Sequence, residues 1–140
     1  AVLEKKLNDA KQVLQGLQGS DDTIAIRDAT AMVERGRRNL LREPNLPKGD
    51  TMPVKLWTWK LGTIVFIGIP SEPFAEIQLV LRERFPQYTI IIGTLCNGTD
   101  GYMMPEKDYG TGLYQEWISP AGKGCLEVAI EALTAEIENL

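Results

Sequence analysis

Histidine is absent from this 140-residue chain, so no imidazole base or imidazole metal ligand can arise within it. Cysteine is nearly absent: Cys96 and Cys125 are too few and too far apart to define a metal site or a disulfide framework. Both are read as small hydrophobes, Cys96 after an apolar run and Cys125 at a helix start. No apolar run approaches the ~20 residues needed to cross a bilayer, and no secretory h-region is present. A net charge of −4 gives no global attraction to nucleic acid or to an anionic membrane. Arg35, Arg37, Arg38 and Arg42 cluster locally, in a pattern that solvates a helix face and complements the dipole at its end. The first residue is Ala1, which suggests a removed leader or a piece of a longer protein.

What remains is ordinary globular material, 44% hydrophobic and 24% charged, of a length suited to one domain with a real core. Leu3, Leu7, Ala10, Leu14 and Leu17 recur in steps of four and three and predict an amphipathic helix framed by Gly16 and Gly19. Ser20 is the expected N-cap of a second helix, with Asp21 and Asp22 in its first turn and Ala25, Ala29, Met32, Val33, Gly36 and Leu40 on its buried face. Small residues there allow close helix approach, and residues 1–42 read as a helical hairpin. The segment 43–50, with Pro44, Pro47 and Gly49, ends the second helix and connects it to the rest of the domain.

Residues 52–140 read as strand, strand, helix, strand, loop and helix. The first strand spans 52–61, with a turn at Lys60-Leu61-Gly62. The second, 63–69, is apolar almost throughout, which predicts cover on both faces. Ser71 is an expected cap for the next helix, whose stripe is Phe74, Ile77, Val80, Leu81 and Phe85 before Pro86. Residues 88–95 return as a strand, and the strand–helix–strand crossover predicts parallel pairing. A loop over 97–118 precedes a helix starting at Pro120, with Leu126, Ala129, Ile130, Leu133 and Ile137 buried. The predicted class is therefore α/β: a small mixed or parallel sheet of about three strands, covered by helices, with an N-terminal helical hairpin.

Two features carry chemistry. Glu72 follows the buried second strand; a first-turn carboxylate there would complement a helix dipole by ~0.3–1 kcal/mol, or it would coordinate a cation or substrate group beyond the carboxyl edge of the sheet. Tyr102, Tyr109 and Tyr114 lie in one loop of a chain with four tyrosines. Each either satisfies its hydroxyl at a core edge or supplies a donor to a carbonyl oxygen or a phenolate to a metal. The glycines from Gly93 onward do not feed a helix N-terminus, which argues against a phosphate cradle. Asn97-Gly98-Thr99 fits the glycosylation acceptor pattern only as a weak three-residue match.

The landmarks occur in a telling order: Met52-Pro53-Val54, Leu61-Gly62, Gly68-Ile69-Pro70-Ser71-Glu72-Pro73-Phe74, Leu95-Cys96-Asn97, Tyr102, Glu106, Tyr109 and Tyr114. In this order the stretch from 52 to 133 resembles the C-terminal part of the catalytic domain of neutral (alkaline, non-lysosomal) ceramidases and their bacterial relatives. The resemblance implies a zinc amidohydrolase that cleaves the N-acyl amide of a lipid such as ceramide. By position, Glu72 matches the family's glutamate zinc ligand, Tyr102 its tyrosine ligand and Tyr114 the tyrosine facing the scissile amide. The remaining ligands are histidines, implied here to come from an upstream part of the same polypeptide, so the chain alone is expected to be inactive. A secreted or extracytoplasmic location is also implied. The sequence departs from the family pattern at Ser71 (glycine in the family), at Thr99 and at Gln115. The alternative is a non-catalytic interaction module of the same fold, docking a partner through Leu3, Leu7 and Leu14.

Overall fold

A computed structural model describes residues 1–46 and 48–140, in two compact units, Ala1–Gly49 and Asp50–Leu140. Pro47, one of the two prolines expected to break the chain, lies outside the described residues.

The first unit is the helical hairpin: α1 (Val2–Gly16), α2 (Thr23–Arg42) and a 3₁₀ turn at Glu43–Asn45. Leu7 is buried, and a Cβ placed on Gly36 would lie 3.0–3.2 Å from its Cδ1, Cβ and Cα. The missing side chain at Gly36 is thus what admits α1, as its small size predicts. Ser20 does not cap α2. Asp22 does, its carboxylate accepting from the Ala25 N–H at 2.9 Å, while Ser20 Oγ accepts from the Asp22 N–H at 3.1 Å. The helix begins two residues later than expected because the carboxylate, not the hydroxyl, lies within reach of a free first-turn N–H. Met32 is also displaced from the buried face, and half-buried Ile26 takes a place beside Ala29 and Val33.

The second unit is α/β. Strands β1 (Trp57–Leu61), β2 (Ile64–Gly68) and β4 (Thr89–Gly93) form one sheet in the order β1-β2-β4. The pair β1–β2 is antiparallel and β2–β4 parallel, joined through α3 (Glu76–Arg84). Val65, Ile67, Ile69 and Ile90 pack with Ile77, Leu81 and Phe85, and with Leu126, Ala129, Ile130, Leu133 and Ile137 of α5 (Cys125–Glu138). Every apolar position expected on α5 is buried, although the helix starts at Cys125 and not at Pro120.

β1 is shorter than the expected 52–61: Pro53 cannot donate to a ladder, and residues 51–56 carry no regular structure. Leu61 pairs with Ile64, so the turn is Gly62-Thr63, with Gly62 at φ 60° in the first loop position. Within this unit the expected cover on both sheet faces is found on one face only. Trp57, Trp59 and Leu61 share their face with Ile64, Phe66 and Ile91, and Phe66 and Ile91 are 39% and 43% exposed. The unit's own helices α3 and α5 pack on the opposite side, where Val65, Ile67 and Ile90 point.

Beyond the carboxyl ends of β2 and β4 the chain pairs again. β3 (Glu72–Pro73) and β5 (Tyr102–Met103) form a second parallel ladder, Glu72 opposite Tyr102 and Pro73 opposite Met103. The expected loop 97–118 therefore contains a strand, a 3₁₀ turn at Glu106–Asp108 and a short helix, α4 (Tyr114–Ile118). Among the described residues, no helix is long and apolar enough to cross a membrane.

Candidate functional site

Glu72 is placed by backbone, not by a helix. Its N–H donates to Gly101 O at 2.9 Å, and two residues on the Phe74 N–H donates to Met103 O at 2.9 Å. α3 opens only at Glu76, with Ala75 at its N-cap and no side-chain cap. The first-turn dipole role considered for Glu72 thus falls to Glu76, and the capping role expected of Ser71 is not filled. Ser71 is instead 1% exposed, and its Oγ has no hydrogen-bond partner.

The parallel register sets Tyr102 beside Glu72. Hydrogen bonding to the Glu72 carboxylate pushes the Tyr102 phenol above its ordinary value of 10.0, with desolvation and the negative charge adding to the effect. A carboxylate that accepts from the neutral phenol disfavours its ionisation. A cation between the two oxygens would reverse this, because it favours both anions.

Tyr114 completes the group. It opens α4, is 52% exposed, and its ring meets that of Tyr102 edge-on, with centroids 6.4 Å apart and planes at 73°. Ser119, immediately after α4, donates from Oγ to Tyr102 O at 2.6 Å, which ties the end of the short helix to β5. No sequence signal beyond a serine before Pro120 marks this role.

Tyr109 is the tyrosine that turns away. Its hydroxyl lies 3.1 and 3.0 Å from the carbonyl oxygens of Ala121 and Gly122, to which it donates, and 3.7 Å from Cys125 Sγ. Burial, with the neighbouring thiol, pushes its phenol up to about 12. It staples the loop to the start of α5. The same loop is held by Glu127, whose carboxylate accepts from the Glu106 N–H at 2.8 Å, and by the Lys107–Glu76 ion pair. The wall that carries Tyr102 and Tyr114 is therefore anchored on both helices that cover the sheet.

Three of the residues singled out in the sequence, Glu72, Tyr102 and Tyr114, thus gather beyond the carboxyl ends of the parallel strands. As a metal site they are incomplete. A catalytic zinc takes three protein ligands and an open position; Glu72 and Tyr102 offer two oxygens, and no cluster of three His, Cys, Asp or Glu that could hold a metal exists among the described residues. The donor set suits a hard cation shared with further ligands and does not make a zinc centre by itself. No family model, no curated protein and no solved structure matches the chain.

Proposed function

We propose that this chain is part of a ceramidase-like zinc amidohydrolase and furnishes one wall of its centre. In this reading Glu72 and Tyr102 are oxygen ligands, and Tyr114 is the hydrogen-bond donor to the amide oxygen. The histidine ligands come from an upstream part of the same polypeptide, and the substrate is an N-acyl amide of a lipid such as ceramide. The observation that carries the reading is the convergence of Glu72, Tyr102 and Tyr114, brought together from separate segments at the edge where open α/β sheets do chemistry. The exposed apolar side chains of Trp59, Phe66 and Ile91 on one sheet face also support it, since apolar patches of this kind commonly receive further polypeptide.

Bound zinc would supply a water ionised near neutral pH. The work of this chain's residues is separate from that chemistry. Glu72 and Tyr102, paired across the ladder, would present two oxygen donors to a cation. Tyr114, exposed and braced by Ser119 through Tyr102, donates to an amide oxygen as negative charge develops on it, an interaction worth ~2.7–4 kcal/mol in a well-placed donor.

The test is calorimetric titration of the chain with zinc, followed by the same titration with the upstream polypeptide restored. Weak binding alone and tight binding with amide hydrolysis after restoration are expected, with Glu72→Ala and Tyr102→Phe abolishing both gains. Nanomolar zinc affinity of the isolated chain would contradict a shared site. The alternative of an interaction module has less to stand on at the leucines first considered, because Leu7 is spent on Gly36 inside the hairpin.

A further inference from the structure

We propose that the loop between β4 and β5, seated on Pro70 through Gly98, positions Glu72 against Tyr102, with Gly98 as the positioning residue. The role assigned to the loop rests on the reading of Glu72 and Tyr102 as a donor pair; the geometry itself does not.

The register of the two parallel ladders differs. Gly68 pairs with Gly93, 25 positions apart, whereas Glu72 pairs with Tyr102, 30 apart, so the β4 side carries five more residues than the β2 side between the ladders. Without them a continuing ladder would set Asn97 opposite Glu72. The extra length is taken up as a knot laced to the other segment by backbone: Cys96 N–H donates to Ile69 O at 2.9 Å, Asp100 N–H to Pro70 O at 2.9 Å and Leu95 N–H to Ser71 O at 3.2 Å.

Making that knot takes unusual backbone. Leu95 and Asn97 sit at φ 56° and 54°, in the left-handed region that side chains rarely occupy. For leucine this conformation costs ~1–3 kcal/mol and persists only where surrounding bonds over-determine it. Gly98 then lies flat on buried Pro70: a Cβ there would stand 2.6 Å from the proline Cβ, with the proline Cα at 3.5 Å. The proline ring cannot swing aside, so any side chain at 98 must lift the knot from Pro70. Three residues after Gly98, Gly101 O accepts from the Glu72 N–H at 2.9 Å, so lifting the knot disturbs the bond that sets Glu72 beside Tyr102.

The experiment is NMR of the metal-free chain, reading amide hydrogen exchange at Glu72 and Phe74, whose N–H groups donate to Gly101 O and Met103 O, together with the cross-relaxation between Glu72 and Tyr102 across the ladder. Gly98→Ala should speed exchange at Glu72 and weaken the Glu72–Tyr102 cross-peaks while leaving the β2–β4 amides protected. Pro70→Gly/Gly98→Ala, which removes the obstructing Cβ, should restore both. A folded Gly98→Ala chain with Glu72 still protected and its cross-peaks to Tyr102 intact would overturn the proposal, as would a folded double variant in which both stay lost. Should Gly98→Ala alone fail to fold, the double variant decides on the same criterion. No metal or substrate enters the measurement, so its outcome is separate from that of the zinc titrations.

Discussion

Glu72 and Tyr102 stand opposite each other in a two-residue parallel ladder, and the Glu72 carboxylate holds the Tyr102 phenol above its ordinary value. Glu72→Gln removes the charge that holds the phenol proton in place. Tyr102 should then titrate lower, toward the ordinary phenol range, because the neutral amide no longer penalises the phenolate. Tyrosine-resolved NMR between neutral and strongly alkaline pH reads the shift; an unmoved Tyr102 would show that the carboxylate is not its partner.

Tyr109 governs a different property. Its phenol is pushed up to about 12 in the folded chain against an ordinary 10.0. Between those values the unfolded chain releases a proton that the folded chain retains. The stability contributed is fully present below pH 10 and is lost as pH rises toward 12. Urea midpoints measured at pH 9 and above pH 11 should therefore fall, and Tyr109→Phe should flatten that fall. At neutral pH the same variant should cost ~0.5–1.5 kcal/mol for the lost hydrogen bond.

Ser71 keeps a buried hydroxyl without a partner. An unsatisfied buried donor costs ~1–3 kcal/mol, so Ser71→Ala should raise the thermal midpoint of the isolated chain. A lowered midpoint would mean that the hydroxyl is bonded in solution, for example through an ordered water.

Neighbouring residues on β2 should respond oppositely to truncation. Ile67 is buried between sheet and helices, and Ile67→Ala should cost ~2–5 kcal/mol. Phe66, one position away, lies on the open face, and Phe66→Ala should cost well under half as much in the isolated chain. If further polypeptide covers that face, the Phe66 penalty should grow in the longer protein; equal penalties in both would count against a covering layer.

In the hairpin, Gly36→Leu should destabilise by ~1–3 kcal/mol, since Leu7 already occupies the space that a side chain would need. Urea unfolding followed by helical circular dichroism checks it. A neutral result would mean that α1 can move away from α2 without loss.

Much of the architecture was legible because periodicity reports burial directly. The α5 stripe from Leu126 to Ile137, the α3 residues Ile77 and Leu81, and the parallel crossover between β2 and β4 all follow from spacing and connectivity. Boundaries were less legible. Ser20 and Asp22 are both good caps, and only the backbone path after Gly19 decides which one meets a free N–H. An apolar strand such as β2 looks the same whether one face or both are covered, so the exposure of Phe66 carried no sequence signal. Of the site, Glu72, Tyr102 and Tyr114 could be singled out by residue type and order, whereas Ser119 and Gly98 act through backbone contacts that no local pattern announces.

The order of residues alone determined that imidazole chemistry is impossible within this chain, that two amphipathic helices precede an α/β unit, and that a carboxylate and tyrosines follow its parallel strands. These depend on side-chain chemistry and on repeats of a few residues, which a linear reading contains. Only the folded chain decided that Glu72 meets Tyr102, because five additional residues change the register between two ladders and nothing local states where that slack is stored. Long-range pairing depends on how separated backbones close on each other, and that is a property of the whole packed unit.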